Sequence, residues 1–252
     1  DVPSEIDDDT FWRAFRHRVK AKNPDAYLVG EIWQRADRWL VGDQFDAVMN
    51  YQFTRACYGF FVDLDATTRP LIHGHSYGAI ARCDARQFAQ RLEALLAWYP
   101  SAIASAQLNL LGSHDTARFL TIANGDTSAV QLAYLTMMTY PGAPMIYYGD
   151  EVGMEGGRDP DCRRAMLWDP ARWHHDLRAA VQRYIALRKK YAPVWRDGAY
   201  VPLYAQGMVY VFARQSDRHT VVVGLNAGTS EAHLALDVHR LFPNGAAVRA
   251  EW

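Results

Sequence analysis

The stretch "AQLNLLGSHDTARF", Ala106 to Phe119, decides how the chain is read. A largely apolar run, Ala106 to Leu111, stops at Gly112-Ser113, and His114 and Asp115 follow at once. A strand buried on both faces reads as a near-continuous apolar run, and an unpaired carboxylate inside it would be costly. The His-Asp pair is therefore expected at the tip of a strand. Working outward, the same form recurs in "AYLVGEIW" (Ala26 to Trp33), "FDAVMNY" (Phe45 to Tyr51) and "APMIYYG" (Ala143 to Gly149), and a strand stub is expected to end at Asp1.

Helical patterns separate these runs. Asp8 to Pro24 carries Phe11, Phe15 and Val19 at helical spacing, with Pro24 as its stop. Asp84 to Pro100 opens on an Asp cap and places Phe88, Leu92, Leu95 and Leu96 on one face. Ser128 to Gly142 and His174 to Tyr191 follow the same logic. Strands alternating with helices imply parallel β/α units. After Pro193 the text changes to short alternating runs: "YVPLYAQ", "MVYVFARQ", "HTVVVGLNAG" and "EAHLALDV", punctuated by Gly207, Ser216 to Arg218 and Gly228. These predict a small antiparallel β domain of sandwich type, with its last strand cut short.

The chain has 252 residues, half of them apolar, and a net charge of −1. No basic stripe exists to meet phosphates, which excludes nucleic acid as an expected partner. No apolar run reaches membrane-spanning length, so no membrane partner is expected. Arg188-Lys189-Lys190 reads as the solvated end of a helix. Cys57, Cys83 and Cys162 are far apart and include no CxxC pair, so neither zinc nor a disulfide framework is implied, and a cytoplasmic, reducing location is expected. The chain opens on Asp1 rather than Met, and something upstream is expected to be missing.

Asp1, Glu31 and Asp115 all stand where apolar strand runs stop. In a barrel of parallel strands, all C-terminal strand ends open on one face, so acids remote in sequence converge there. Converging carboxylates split their pKa values, leaving one as proton donor and another as nucleophile, the requirement of glycoside cleavage. Two plain alternatives stand beside this reading. Asp115 could cap a helix opening at Thr116, and ion-pair networks also place acids at strand ends.

The local text is more specific than the spacing. "DVPSEI" (1–6), "VGEIW" (29–33) and "NLLGSHDTARF" (109–119) resemble, in order, the nucleophile, acid/base and third catalytic motifs of the α-amylase family of glycoside hydrolases. "GDQFDAVMNYQF" (42–53) and "YYGDEVGMEGGRDPDCRRAMLWD" (147–169) are similar to supporting stretches of its neopullulanase, cyclomaltodextrinase and maltogenic amylase branch. The resemblance implies an α/β fold: residues 1–193 as the second half of a TIM (β/α)8 barrel, from the end of strand four to helix eight, and residues 194–252 as a C-terminal antiparallel β-sandwich. It implies Asp1 as nucleophile, Glu31 as general acid and base, Asp115 as the group that grips the cleaved sugar, and His114 as a hydrogen-bond donor to the same ring.

Trp33 would line the acceptor side of the cleft or simply pack. Asn50 and Tyr51 end the next strand; Asn50 could equally satisfy a local turn. Arg118 reads as partner to an acid and Glu151 as one half of a structural ion pair. Arg163 and Arg164 lie in the loop after the last barrel strand, with Arg164 taken as a substrate contact. His73 and His75 form an HxH with no third ligand in sight and read as a polar loop. His174 and His175 read as a solvated helix start. Gln34 departs from the His often found after this Trp in the branch, which puts the acceptor preference in doubt.

The implied activity is retaining cleavage of α-1,4 glucosidic bonds in cyclodextrins, pullulan, starch or maltooligosaccharides, with α-1,6 cleavage and transglycosylation open. No cofactor is required; calcium stays open without assignable ligands. The expected partners are an α-glucan, the remainder of the barrel and an N-terminal domain through which relatives often form homodimers. Half a barrel forfeits roughly ten kcal/mol of apolar burial at about 25 cal/mol per Å2, so the isolated chain is expected to be inactive. The rival reading is a non-catalytic α-glucan-binding or structural fragment.

Overall fold

The computed structural model describes residues 2–72, 78–243 and 245–251. Its strands are β1 (Val29–Gly30), β2 (Ala47–Asn50), β3 (Leu108–Asn109), β4 (Ala143–Pro144), β5 (Ala199–Gln206), β6 (Val209–Gln215) and β7 (Thr220–Asn226). Its helices are α1 (Asp9–Lys22), α2 (Tyr51–Phe61), α3 (Arg69–Ile72), α4 (Ala85–Ala97), α5 (Ser101–Ala104), α6 (Phe119–Ile122), α7 (Thr127–Thr139), α8 (His175–Lys190) and α9 (Ala192–Asp197). The first four strands form one parallel sheet in the order β1-β2-β3-β4, and the last three form an antiparallel sheet in the order β5-β6-β7.

The four parallel strands expected between Ala26 and Gly149 are present, but the ladder is shorter than the apolar run, and the stub expected to end at Asp1 lies outside the described residues. Register pairs Val29 with Ala47, Met49 with Leu108 and Leu108 with Ala143. Beyond β3 the chain stays buried through Leu110 and Leu111, and α2 takes over their carbonyls: the Thr54 hydroxyl donates to Leu110 O at 2.7 Å and the Tyr58 hydroxyl to Leu111 O at 3.3 Å. Satisfied in this way, the backbone can leave the sheet without orphaned polar groups. The result is a rigid descent from β3 to Ser113.

The helices begin where side chains can cap them. Asp8 accepts from Thr10 N–H and Phe11 N–H at the start of α1. Asp84 and Gln87 form a reciprocal capping box at α4, whose Phe88, Leu92 and Leu95 enter the main core with α2, α7 and the inner face of β6. On α1 the periodicity is present but the buried residue is Trp12, which packs with Trp39 and Phe45, while Phe11 and Phe15 stack on each other outside.

Three of the four runs expected in the C-terminal sheet are strands; Glu231 to Val238 is not, and lies mostly exposed. Alternation alone could not supply the partner such a segment needs. Arg188 is also not a solvated helix end. It donates to Met138 O and Gly142 O, while Arg214 of β6, 1% exposed, donates to Thr139 O at 3.0 Å, Trp195 O at 2.9 Å and Gly198 O at 2.9 Å. Burial pushes both guanidinium groups down to about 10, and backbone carbonyls carry the compensation. Cys57, Cys83 and Cys162 are buried free thiols. Among the described residues no helix is long and apolar enough to cross a membrane.

Candidate active site

Glu31 follows β1 directly and is 4% exposed. Its Oε2 accepts from Val2 N–H at 3.2 Å, and its Oε1 lies 3.5 Å from the Tyr51 hydroxyl. Tyr51 opens α2 and donates to Ser113 Oγ at 2.9 Å, so the strand tips after β1, β2 and β3 meet at one point. Trp33 lies flat on Tyr51, ring centroids 3.5 Å apart and planes 1° apart, which fixes the phenol.

The Gly112-Ser113 step makes the turn that presents His114 and Asp115. A Cβ on Gly112 would meet Asp150 Oδ2 at 2.8 Å, so a side chain there would have to displace the buried Asp150 carboxylate. Ser113 N–H donates to Thr116 Oγ1 at 3.0 Å, and Ser113 Oγ accepts from Asp115 N–H at 3.1 Å. Asp115 does not cap a helix at Thr116: α6 begins at Phe119, with Arg118 before it and no side-chain cap. Asp115 instead turns to Glu31. One ligand atom each from Glu31, His114 and Asp115 lie within 4.8 Å of one another. The Glu31 carboxyl is pushed above its ordinary range, first by burial and next by its hydrogen bond with Asp115.

Asp115 Oδ1 lies 3.0 Å from Arg163 Nη2 and 3.4 Å from His114 Nε2. Arg163 Nε also donates to His114 O at 2.9 Å. The same His114 oxygen accepts from the Cys162 thiol at 3.0 Å. Arg163 thus places a positive charge on Asp115, one member of a His-Asp-Glu set that has ligand chemistry suited to a cation.

The adjacent Arg164 faces elsewhere, paired to Asp161 at 2.8 Å with its backbone oxygen on the Tyr148 hydroxyl. Asn50 caps α2 through Phe53 N–H at 3.2 Å and donates to Asn109 Oδ1 at 2.8 Å, the local role among its two readings. Arg118 pairs with an acid as expected, but the acid is Asp150, at 2.7 Å with both side chains buried. Glu151 Oε2, by contrast, is buried with no hydrogen-bond partner. Asp1, His73 and His75 lie outside the described residues.

Two signals escaped the sequence reading. The Arg163 contact comes from a single turn of 3-10 helix, Asp161–Arg163, that separates two adjacent arginines. The Arg118–Asp150 pair ties the loop after β3 to the loop after β4, and Arg118 Nε donates to Cys162 O at 3.0 Å.

The family described as "Alpha amylase, catalytic domain" matches residues 2–222. The chain is 42% identical over 239 residues to a cyclomaltodextrinase of Geobacillus thermopakistaniensis, covering 94% of this chain and 38% of that protein. It is 41% identical over 237 residues to neopullulanase 2 of Thermoactinomyces vulgaris, covering 93% of this chain and 37% of that one. Among solved structures, an acarbose-soaked debranching enzyme of Nostoc punctiforme superposes with a TM-score of 0.89 at 41% identity, over 98% of this chain and 51% of its own. Motif order, strand-tip geometry and these likenesses agree: the chain belongs to the α-amylase family of glycoside hydrolases, on the branch of cyclomaltodextrinases, neopullulanases and maltogenic amylases.

Proposed function

We propose that this chain carries the acid/base half of a retaining α-glucan hydrolase that cleaves α-1,4 glucosidic bonds, and α-1,6 bonds where the substrate presents them. The observation that carries the reading is the buried Glu31 carboxyl, raised above its usual range first by burial and next by Asp115, which lies close to it at the meeting of three strand tips. In this reading Glu31 gives its proton to the glycosidic oxygen as the Asp1 carboxylate attacks the anomeric carbon, and the leaving sugar departs with that proton. Glu31 then takes a proton from the incoming water, whose oxygen displaces Asp1, so the α-configuration is retained. A sugar hydroxyl in place of water gives transglycosylation. Asp115 and His114 grip hydroxyls of the cleaved ring, and Trp33 walls the acceptor side; Tyr51, expected to face the cleft, is fully buried behind that ring and supports it instead.

The likeness to a cyclomaltodextrinase and a neopullulanase supports cyclodextrins, pullulan and maltooligosaccharides as substrates. The consecutive parallel order of β1 to β4 supports residues 1–193 as half of an eight-stranded barrel. The switch to antiparallel pairing at β5 supports residues 194–252 as a β-sandwich domain. The chain spans well under half the length of these curated relatives, so full activity is proposed for the protein in which it joins the rest of the barrel. Three buried thiols support a cytoplasmic location.

Glu31→Gln in that protein tests the reading, with sugar release from cyclodextrin, pullulan and starch measured in parallel. The expected loss is about 10²–10⁴-fold in kcat with affinity retained. Unchanged release, or a wild-type protein that binds these glucans and never cleaves them, refutes it.

A further inference from the structure

The acceptor wall follows β1, and the stack on Tyr51 fixes the ring of Trp33 but not its backbone. The backbone has a hold of its own. Trp33 O accepts from Gln52 Nε2 at 2.8 Å, and Gln52, 8% exposed, stands in the first turn of α2. One turn along the same helix, Arg55 Nη1 donates to Gln52 Oε1 at 3.2 Å. Residues at this spacing share a helix face, so the two side chains meet there.

That contact decides which way the amide points. A guanidinium only donates, so the amide oxygen faces Arg55 and the amide nitrogen is left to donate to Trp33 O. The guanidinium is itself fixed, because its Nε and Nη2 both donate to Ala79 O, at 3.0 and 2.8 Å. A planar fork seated on one carbonyl leaves Nη1 little freedom of direction. Further along the wall segment, Ala36 N–H donates to the Tyr99 hydroxyl at 2.8 Å, and Arg35 reaches Asp37 at 2.6 Å and Trp98 O at 3.4 Å. Residues 33–37 are thus held from α2 on one side and from the residues after α4 on the other.

We propose that Gln52 is a positioning residue for the acceptor side: its amide, oriented by Arg55, holds the backbone of Trp33 so that the ring stands ready for an incoming sugar. The assignment rests on the hydrolase reading above and deepens it, since it concerns what resolves the glycosyl-enzyme. In transfer, the acceptor hydroxyl oxygen bonds to the anomeric carbon as the bond to the Asp1 carboxylate breaks, and the hydroxyl proton passes to Glu31. Water needs no ring wall for the same step, whereas a sugar acceptor does. A loosened Trp33 backbone should therefore cost transfer more than hydrolysis, by about fivefold for one hydrogen bond of ordinary strength.

The test uses the full protein with α-maltosyl fluoride as donor and glucose as acceptor. Fluoride release counts total turnover, and chromatography separates the transfer trisaccharide from the maltose of hydrolysis. Gln52→Glu keeps the shape and the contact with Arg55 but leaves no hydrogen to donate to Trp33 O. Its trisaccharide-to-maltose ratio at fixed glucose should fall about fivefold. Arg55→Gln, which frees the amide to turn, should lower the ratio in the same direction by less. A merely structural loss would lower both products together and leave their ratio alone. An unchanged ratio in Gln52→Glu overturns the proposal and leaves the hydrolase reading standing. A wild type that releases fluoride but makes no trisaccharide at any glucose concentration does the same. A wild type that releases no fluoride sinks the hydrolase reading and this assignment with it. Should Gln52→Glu fail to fold, Arg55→Gln decides by the same ratio, and an unchanged value there overturns the proposal.

Discussion

Replacing Arg118 with Met should expose how firmly the two strand-end loops are tied. Arg118 is 1% exposed and makes a 2.7 Å charge-assisted bond to Asp150 Oδ1 and a 3.0 Å bond to Cys162 O, with a further bond to Tyr148 O. Its guanidinium also lies 4.2 Å from the Tyr147 ring centroid. Met matches the length of the stem but none of these partners, so Asp150 is left as a buried carboxylate alone. Breaking a buried pair from one side costs about 3–5 kcal/mol. With a urea slope of about 3 kcal/mol per M, the unfolding midpoint should fall by roughly 1–1.7 M.

The deficit must also depend on pH. Burial pushes Asp150 up to about 6 even with Arg118 beside it. A carboxyl raised above its unfolded value binds its proton more tightly in the native state. Its contribution is therefore fully present below about pH 4 and is lost as pH rises through about 6. Without Arg118 the group is raised further, so Arg118→Met should be most damaging near pH 7.5 and partly recover near pH 5. Asp150→Asn should lack that acid-side recovery, because it removes the titrating group. Urea unfolding at both pH values checks this. A deficit under about 1 kcal/mol, or one equal at pH 7.5 and pH 5, refutes the reasoning.

Trp33→Ala removes the ring that lies flat on Tyr51 and frees the phenol that spans Ser113 and Glu31; kcat/KM on cyclodextrin should fall about 2–10-fold, and an unchanged value would make the stack passive. Gly142→Ala forces a side chain into φ +122°, where its Cβ would meet Asn109 Nδ2 at 2.4 Å and Gln107 O at 2.8 Å. Because one obstacle is backbone, the variant should lose at least about 2 kcal/mol by urea unfolding, and a neutral result would show that the β3–β4 ladder can yield there.

Much of the parallel sheet was legible because buried strands announce themselves by composition. Glu31 and Asp115 were legible because acids at the ends of such runs demand a reason. Asp84 was legible as a cap by its place before an apolar stripe, and the capping box bears this out. What was not legible has a common cause. Arg163 and Arg164 are neighbours, and nothing in sequence says which way a short irregular turn throws either one. The same holds for Asp150 and Glu151, one taken by Arg118 and the other not. On α1 the helical period was right, but Phe11 and Phe15 and not Trp12 suggested the inner face, because apolar content does not fix which stripe faces the core. Glu231 to Val238 alternates like a strand without pairing as one, since a strand is a relation between two segments.

The guanidinium of Arg214 has a bearing on how this protein can be re-engineered. It joins carbonyl oxygens at the end of α7, in α9 and at Gly198, so three segments on both sides of the apparent junction share one cation. A chimaera that grafts β5 to β7 from a relative onto this parallel sheet would bring an arginine aimed at carbonyls that no longer align, or carbonyls with no arginine to receive. The seam suggested by the change of strand direction is therefore a poor place to cut, and recombination that keeps α7, α9 and β6 together as one block should tolerate exchange better.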